Sequence, residues 1–476
     1  MIFTLFSMTA GTCVKPAASK ISAKTLLSLF KQALRLDRQN TLGGSVESLE
    51  SYYNMNKQFA AMARKYKHLI PAEIDTDAIL ALADYTLNLE LQEFKKIATN
   101  LPSLLDGSVL EEKAIPFAEG SIDPNWGSTV DALSITLPDK IDLTDNHQDE
   151  LISAAATELT ATFPNLATLE HLDRWLTSHP ESFKNSMLLA SKLAISRMMI
   201  KMHATPIHVS LVVAMYNEHN RIRPKSIDNP NGEDFIRRKM KQLAWVFNQS
   251  SVSFEMILVD DGCPYNSGAI AEKIIRSEGY GNARVLYIEE GIKRRSPVLN
   301  GLYSPEDSRK GGSIHYGMWR AIEDGPLNDR PHIVIYTDAD MAAPVNQIGL
   351  LLTLQDEQTM VSVGSRYDIG SVCRGPWGKG GNVQGLTRFD RRMVGLRGVL
   401  FSKLFPQTGI IMDTQCGLKA FNAEVLNKIL MKTEERTFSF DIELMVLAAT
   451  AGSRIAHAPI YWYDSLAESN FWKNSN

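Results

Sequence analysis

An apolar stretch that ends in two carboxylates is the part of the chain that most directly suggests chemistry. Residues 332–337 read His-Ile-Val-Ile-Tyr-Thr, which is typical of a buried strand, and Asp338-Ala339-Asp340 follows. Side chains alternate along a strand, so Asp338 and Asp340 are predicted to converge on one side. Two carboxylates suit a divalent cation that also binds a phosphate, because Mg²⁺ prefers one or two carboxylates plus ligand oxygens. An Asp-x-Asp sequence alone is also common in ordinary loops, so its neighbours decide the interpretation.

Carboxylates follow two earlier apolar stretches as well. Asp260 and Asp261 come directly after residues 254–259, and Glu218 comes shortly after residues 208–214. Asp260 and Asp261, at the end of a strand, can accept hydrogen bonds from a base N–H and a ribose hydroxyl, and Glu218 would line the same pocket. The alternative for Asp260 and Asp261 is a simple turn, because Asp-Asp-Gly forms turns without any ligand.

A lysine beside two glycines opens a predicted helix. Lys310-Gly311-Gly312 precedes the apolar-periodic residues 312–324. Glycines permit close backbone contact, and the N-terminus of a helix favours anions. Lys310 is therefore predicted to bind a diphosphate.

The pattern of elements changes near residue 205. Before it, apolar residues recur every three or four positions, which predicts helices at about 22–38, 45–66, 77–98, 148–162, 167–178 and 181–202. Residues 114–147 are predicted to be irregular, with one short strand at 134–137. After residue 205 strands alternate with helices; the predicted strands are 208–215, 254–260, 284–289, 332–337, 360–365 and 454–461, and the predicted helices are 233–249, 267–278, 312–324, 345–356, 386–405, 422–431 and 441–451.

This alternation predicts an α/β fold, with a mostly parallel sheet covered by helices on both faces. Ligands of such sheets bind at the carboxyl ends of the strands, where the polar residues above are found. The predicted domains are a mainly α-helical N-terminal module at 1–204, of unknown role, and an α/β catalytic domain at 205–476.

Composition sets broad limits on function. The chain has 476 residues, 44% of them apolar and 22% charged, with a net charge of -4. So small a charge gives no global reason to expect nucleic-acid binding. The four scattered cysteines indicate a reduced, intracellular protein, and the predicted location is cytoplasmic. No stretch reaches the roughly 18 apolar residues of a membrane span, while peripheral membrane contact remains open.

Taken in chain order, these segments resemble the GT-A glycosyltransferases of family 2, above all the dolichyl-phosphate glucose and mannose synthases. The resemblance covers about residues 205–465. It is most specific in Asp-Thr-Gln-Cys-Gly-Leu-Lys at 413–419 and in Phe-Asp-Ile-Glu-Leu at 440–444. It implies a Rossmann-like GT-A fold and an inverting transfer of a hexose from a nucleoside diphosphate sugar.

The resemblance also implies roles for particular residues. Asp340 would contact a metal ion, Mg²⁺ or Mn²⁺, and Asp338 would bind ribose and the metal-bound diphosphate. Asp441 would be the general base, and Asp413 would support the donor sugar or the acceptor. Mannose synthases tend to carry Gln where this chain has Ala342, so UDP-glucose is favoured over GDP-mannose as the donor.

The acceptor stays open between several classes. A hydroxyl acceptor needs a base, whereas a polyprenyl phosphate is already anionic and mainly needs cationic guidance. Arg366, Arg388, Arg391 and Arg392 are predicted to bind the acceptor, and the basic amphipathic stretch 386–405 could lie on an anionic membrane or be a core helix with one solvated face.

The alternatives to the lipid acceptor are a soluble or macromolecular one: a protein, a glycan or a modified nucleobase in DNA. A further alternative is a nucleotide-sugar binding protein without catalysis. The presence of three carboxylates, Asp338, Asp340 and Asp441, argues against a pure binding role.

Overall fold

The computed structural model describes most of the chain from residue 124 onwards and parts of what precedes it. The described residues are 23–35, 61, 64–65, 67–69, 75–90, 93, 96, 124–308, 310–325, 330–374, 405–409, 411, 413–436 and 440–463. All of the predicted helix 386–405 except its last residue, including Arg388, Arg391 and Arg392, lies outside them, as does most of the predicted helix 45–66.

A seven-stranded sheet forms the centre of the molecule. In chain order the strands are β1 (His208–Met215), β2 (Pro224–Ser226), β3 (Asn229–Glu233), β4 (Ser253–Asp260), β5 (Ala283–Tyr287), β6 (His332–Thr337), β7 (Val361–Ser365), β8 (Val372–Arg374), β9 (Leu418–Asn422), β10 (Ile455–Pro459) and β11 (Tyr461–Tyr463). The central sheet has the order β10-β7-β9-β6-β1-β4-β5. Among the described strands of this sheet, only β9 runs antiparallel to its neighbours, so the predicted mostly parallel α/β fold is confirmed. Strands β2 and β3 form a separate antiparallel pair, and β8 and β11 form a separate parallel pair.

Helices cover both faces of this sheet. They are α1 (Ala23–Arg35), α2 (Thr76–Leu87), α3 (Pro124–Ser134), α4 (Asn146–Thr162), α5 (Leu166–Ser178), α6 (Asn185–Met202), α7 (Phe235–Phe247), α8 (Ser267–Glu278), α9 (Ile288–Lys293), α10 (Gly311–Glu323), α11 (Gly349–Leu352), α12 (Ala423–Ile429) and α13 (Phe440–Thr450). Short 3₁₀ turns connect several of them. Among the described residues, no helix combines the length and the apolar character needed to cross a membrane.

The burial of strand β1 on both faces explains why its sequence is almost continuously apolar. Val212 points into a core shared with α10 and α13. Leu211 and Val213 point into a second core on the opposite face, together with residues of α6 and α7. Because both faces of a parallel sheet are buried, the usual alternation of apolar and polar residues disappears.

The helices before residue 205 pack directly on the sheet. Buried residues of α4, α5 and α6 belong to the same cluster as Leu211 and Val213. At Gly349, a Cβ atom would lie 2.2 Å from the backbone oxygen of Ser196, so glycine is needed for this close approach of α11 to α6. The domain boundary between residues 204 and 205 stays a prediction. Buried residues from before and after this boundary belong to one hydrophobic core.

Several predicted elements differ from those observed. The strand at 134–137 is wrong: α3 ends at Ser134, a turn follows, and the β-branched Ile135 is 83% exposed. The same helix corrects the irregular interpretation of 114–147. The predicted strand 284–289 ends at Tyr287, where α9 begins, and the predicted helix 345–356 is a 3₁₀ turn followed by α11.

Candidate active site

The predicted metal and phosphate residues meet at one edge of the sheet. Strands β6, β1 and β4 are parallel neighbours, so their carboxyl ends lie side by side. Asp338 and Asp340 follow β6, and Lys310 precedes α10. The Lys310 Nζ atom lies 2.5 Å from Asp338 Oδ1, and both side chains keep part of their surface in solvent. The structure therefore brings together the lysine and the aspartate that were predicted to bind the diphosphate.

Lys310 adopts an unusual backbone conformation at this place. Its φ is 66° and its ψ is -54°, the strained region of a γ-turn with positive φ. Burial alone would lower the pKa of Lys310, but the carboxylates of Asp338 and Asp441 raise it above its ordinary value. A strained backbone that presents a charged side chain beside a helix N-terminus is typical of a ligand site.

Asp261 holds this backbone in place. Its Oδ2 accepts a hydrogen bond from the Lys310 N–H at 3.0 Å, and its Oδ1 accepts one from Ser313 Oγ at 2.5 Å. The neighbouring Asp260 accepts from the N–H groups of Cys263 and Gly268 at 2.9 and 2.6 Å. Both carboxylates thus stabilise turns and helix starts, as expected if Asp-Asp-Gly is a turn sequence. Their contact with a nucleoside stays a prediction.

A second cluster of buried charges lies on β9 and α13. The Lys419 Nζ atom donates to Asp441 Oδ1 at 2.8 Å and to the Cys416 carbonyl at 2.5 Å. The Tyr336 hydroxyl, from β6, donates to the same Asp441 oxygen. Burial raises the pKa of Asp441 to about 8 and lowers the pKa of Lys419 to about 8.

Lys419 and Tyr336 were not among the predicted site residues. Both lie in apolar strands and are completely buried. They face each other across the antiparallel pair β6 and β9. The available signal was a lysine inside the apolar sequence Leu418-Lys419-Ala420-Phe421, since a charge in a buried strand needs a partner.

Gly417 links this cluster to the metal residues. A Cβ atom at position 417 would lie 2.1 Å from Asp338 Oδ2 and 2.5 Å from its Cγ. Only a residue without a side chain lets the segment before β9 pack on that carboxylate. The glycine of the Gln-Cys-Gly motif is therefore part of the site geometry.

The predicted acceptor residue Arg366 and the predicted catalytic residue Asp413 bind each other. Arg366 Nε donates to Asp413 Oδ2 at 2.8 Å, and Nη2 donates to Oδ1 at 2.9 Å. Asp413 is completely buried, and the Arg366 guanidinium lies 5.2 Å from the centre of the Trp462 ring. Burial opposes the charge on Arg366, but Asp413 raises its pKa well above the ordinary value. These bonds hold the end of β7 against the segment before β9, and the predicted roles of Arg366 in acceptor binding and of Asp413 in catalysis stay predictions.

Glu218 occupies the buried end of the loop after β1. It is 8% exposed, and its Oε2 accepts from Arg221 Nη1 at 3.0 Å. Burial raises the pKa of Glu218, while Arg221 opposes that shift. Its predicted contact with a nucleoside stays a prediction.

The side chains at the site can be compared with those that divalent metal ions prefer as ligands. Within the part of the chain that the structure describes, no group of three or more His, Cys, Asp and Glu side chains is arranged to hold a metal ion. The carboxylates of Asp338 and Asp340 both lie near enough to Lys310 to raise its pKa, and Asp340 Oδ1 also accepts from the Ala342 N–H at 3.2 Å. Mg²⁺ and Mn²⁺ bind well to one or two carboxylates completed by phosphate oxygens and water. The residues therefore fit an ion that binds together with a diphosphate.

A parallel sheet with a lysine and an aspartate pair at its carboxyl edge is the arrangement that the resemblance to GT-A glycosyltransferases of family 2 predicted, and comparison with known proteins confirms that resemblance. A dolichyl-phosphate β-glucosyltransferase of Dictyostelium discoideum is 25% identical over 261 residues, which cover 54% of this chain and 66% of that protein. The enzyme of the same name from Homo sapiens is 24% identical over 260 residues, 53% of this chain and 67% of that protein.

These similarities have definite limits. The aligned part of the chain spans about two thirds of the length of these relatives. No model of a protein family matches the sequence. Among solved structures, mannosyl-3-phosphoglycerate synthase from Rubrobacter xylanophilus covers 59% of this chain and 72% of its own, at 14% identity and a TM-score of 0.33, a likeness on which no functional argument rests.

Proposed function

We propose that the protein is an inverting, metal-dependent hexosyltransferase that moves glucose from UDP-glucose to a polyprenyl phosphate. The observation that carries the proposal is the ion pair of Lys310 with Asp338 at the carboxyl edge of the sheet, where Asp340 and Asp441 also lie near enough to raise the pKa of Lys310 and where Asp441 is paired with the buried Lys419. The name of the relatives, dolichyl-phosphate β-glucosyltransferase, supports glucose as the sugar and a lipid phosphate as the acceptor.

The donor diphosphate would lie between Lys310 and the aspartate pair. Lys310 Nζ, now on Asp338, would turn to the phosphate oxygens, and the N-terminus of α10 would add its N–H groups. Asp338 and Asp340 would hold Mg²⁺ or Mn²⁺, which when bound neutralises charge on the departing diphosphate. Attack on the anomeric carbon from the side opposite the diphosphate would invert its configuration.

A phosphate acceptor fits the state of Asp441. Its Oδ1 already accepts from Lys419 and Tyr336, so the carboxylate serves to orient the ammonium of Lys419. An ionised phosphate needs that cationic guidance and no base. Because polyprenyl phosphate is a membrane lipid, the proposal places the protein in the cytoplasm in peripheral contact with a membrane.

Asp340→Asn is expected to lose donor-dependent activity. The change removes a negative charge from the metal site while it keeps the shape of the side chain, so hydrolysis and transfer should fall by about 100-fold or more. The assay incubates purified protein with a panel of nucleotide sugars and Mn²⁺ or Mg²⁺, with polyprenyl phosphate in liposomes or duplex DNA as the acceptor. Melting temperatures check that the fold is intact.

Asp324→Asn is the matched control, because Asp324 lies at the opposite end of α10 and pairs with Arg284 and Arg320. It should keep full activity. Full activity of Asp340→Asn under strict chelation would refute the metal assignment. Binding of nucleotide sugars without hydrolysis or transfer would instead support the non-catalytic alternative.

A hydroxyl acceptor is the second candidate. It needs a general base, and a base works best when its pKa lies near the operating pH, as the raised pKa of Asp441 does. A general base must be deprotonated, and the pKa of Asp441 is about 8. With a hydroxyl acceptor the rate should therefore fall about tenfold for each pH unit below 8. For the phosphate acceptor proposed here, no base is needed and the Lys419 ammonium must keep its proton, so kcat should instead fall about tenfold for each pH unit above 8, because the pKa of Lys419 is about 8. Measuring kcat against pH at saturating metal and donor separates the two.

A further inference from the structure

The peptide group that joins Asp340 to Met341 is held at both of its ends. Lys239 Nζ donates a hydrogen bond to the Asp340 carbonyl oxygen at 2.8 Å. Glu233 Oε2 accepts one from the Met341 N–H, also at 2.8 Å. The carbonyl and the N–H belong to one planar unit, so two side chains of opposite charge fix the orientation of a single peptide plane.

This orientation decides where the Asp340 carboxylate lies. The plane cannot turn over without pointing its oxygen at the Glu233 carboxylate and its N–H at the Lys239 ammonium. The described hydrogen bond of the Asp340 side chain itself is the one that Oδ1 accepts from the Ala342 N–H, in the same loop. We propose that Glu233 and Lys239 are positioning residues that hold Asp340 in place for the divalent cation. The inference rests on the proposed function, because it requires Asp340 to be a metal ligand.

Burial shows that these contacts are more than incidental. Lys239 is completely buried and Glu233 is 2% exposed. Burial of a charged group is costly unless it is paired and hydrogen-bonded, and apolar side chains could fill the same space without that cost. Glu233 is also within 3.5 Å of Arg221 Nε, so its carboxylate is oriented on a second side.

Helix α7, which carries Lys239, is itself fixed to the N-terminal helices. Arg238 binds Asp149 of α4 through Nε and Nη2, both at 2.8 Å. Gln242 donates to the same Asp149 at 3.2 Å and accepts from the Val345 N–H at 3.0 Å. The loop after Asp340 is therefore held at residues 340 and 345 by helix α7 and at residue 341 by Glu233 of β3.

The test compares Glu233→Ala with Glu233→Gln. Alanine removes the acceptor of the Met341 N–H, whereas glutamine keeps an oxygen in its place. Mn²⁺ affinity is measured by titration in the presence of UDP, with the electron paramagnetic resonance of free Mn²⁺ as the readout. Removal of such an outer partner should weaken Mn²⁺ binding about 10-fold or more in the alanine variant, and less than about threefold in the glutamine variant.

Lys192→Met is the control for a lost buried charge. Lys192 forms a comparable buried pair with Asp173, at 2.6 Å, between α5 and α6. The control should lower the melting temperature and leave Mn²⁺ affinity unchanged. If Glu233→Ala does not fold, Glu233→Asp replaces it in the test. Aspartate keeps the charge, but its shorter side chain moves the carboxylate away from the Met341 N–H, so the same loss of Mn²⁺ affinity is expected.

The outcomes separate this inference from the proposed function. Unchanged Mn²⁺ affinity in the Glu233 variants, with affinity lost in Asp340→Asn, would overturn the positioning role and leave the proposed function standing. Equal Mn²⁺ binding by the wild type and Asp340→Asn would overturn both. Weaker binding in Glu233→Ala, together with kcat restored at high Mn²⁺, supports the inference.

Discussion

Lys310→Gly is expected to abolish donor use while it relieves backbone strain. The lysine side chain is the described cation nearest to Asp338, and its loss should lower kcat/KM for the donor by about 100-fold, as removal of one well-placed charge donor does elsewhere. Glycine adopts positive φ without steric cost, so the strain at φ 66° disappears in this variant. Activity assays and thermal unfolding measure the two effects on the same protein.

Lys310→Ala is the matched partner of that variant. It removes the same charge but keeps a Cβ atom in the strained conformation. The glycine variant should therefore have a free energy of unfolding about 1 kcal/mol higher than that of the alanine variant. In both variants kcat/KM for the donor should fall to the same extent. Arg295→Gly, at an exposed residue with φ 52°, should keep full activity. Equal stability of the two Lys310 variants would contradict the strain, and normal donor use in either would contradict the role of the lysine.

The sequence was sufficient to predict the residues that stand at the ends of regular elements. Asp338, Asp340 and Lys310 follow or precede strongly apolar periodic stretches, so both the elements and the direction of their ends could be inferred. In a parallel sheet the carboxyl ends of strands meet, and this rule predicted that the segments after β1, β4 and β6 lie side by side.

The interior charges could not be predicted in the same way. Lys419 pairs with Asp441, which is 22 residues further along the chain, and Glu233 accepts a hydrogen bond from Met341, which is 108 residues further along. No local periodicity encodes such partners, because pairing depends on strand order and on the antiparallel insertion of β9. The Asp413 carboxylate shows the same difficulty: its bond to Arg366, 47 residues away, could not be inferred from its motif, and its predicted catalytic role stays a prediction.

Gly417→Ala is expected to disable the site with a single methyl group. The new Cβ would lie 2.1 Å from Asp338 Oδ2, so the carboxylate must move and Lys310 loses its partner. A displacement of about 1 Å at a reacting centre can cost about 100-fold in rate, and that loss is expected in donor-dependent activity. Gly417 is not among the glycines with positive φ, so its backbone accepts alanine and the described close approach is what opposes the change.

A double-mutant cycle ties that loss to the carboxylate of Asp338. In the wild-type background the overpacked methyl group should lower the free energy of unfolding by about 1–3 kcal/mol. With Asp338 already replaced by alanine the obstructing atoms are gone, so the same change should cost much less, and the two effects should not add. Gly281→Ala is the control, since a Cβ atom there meets nothing within 4 Å. Simple additivity would mean that Gly417 acts through another contact, whereas strong coupling makes its close packing on Asp338 the reason that glycine occupies this position.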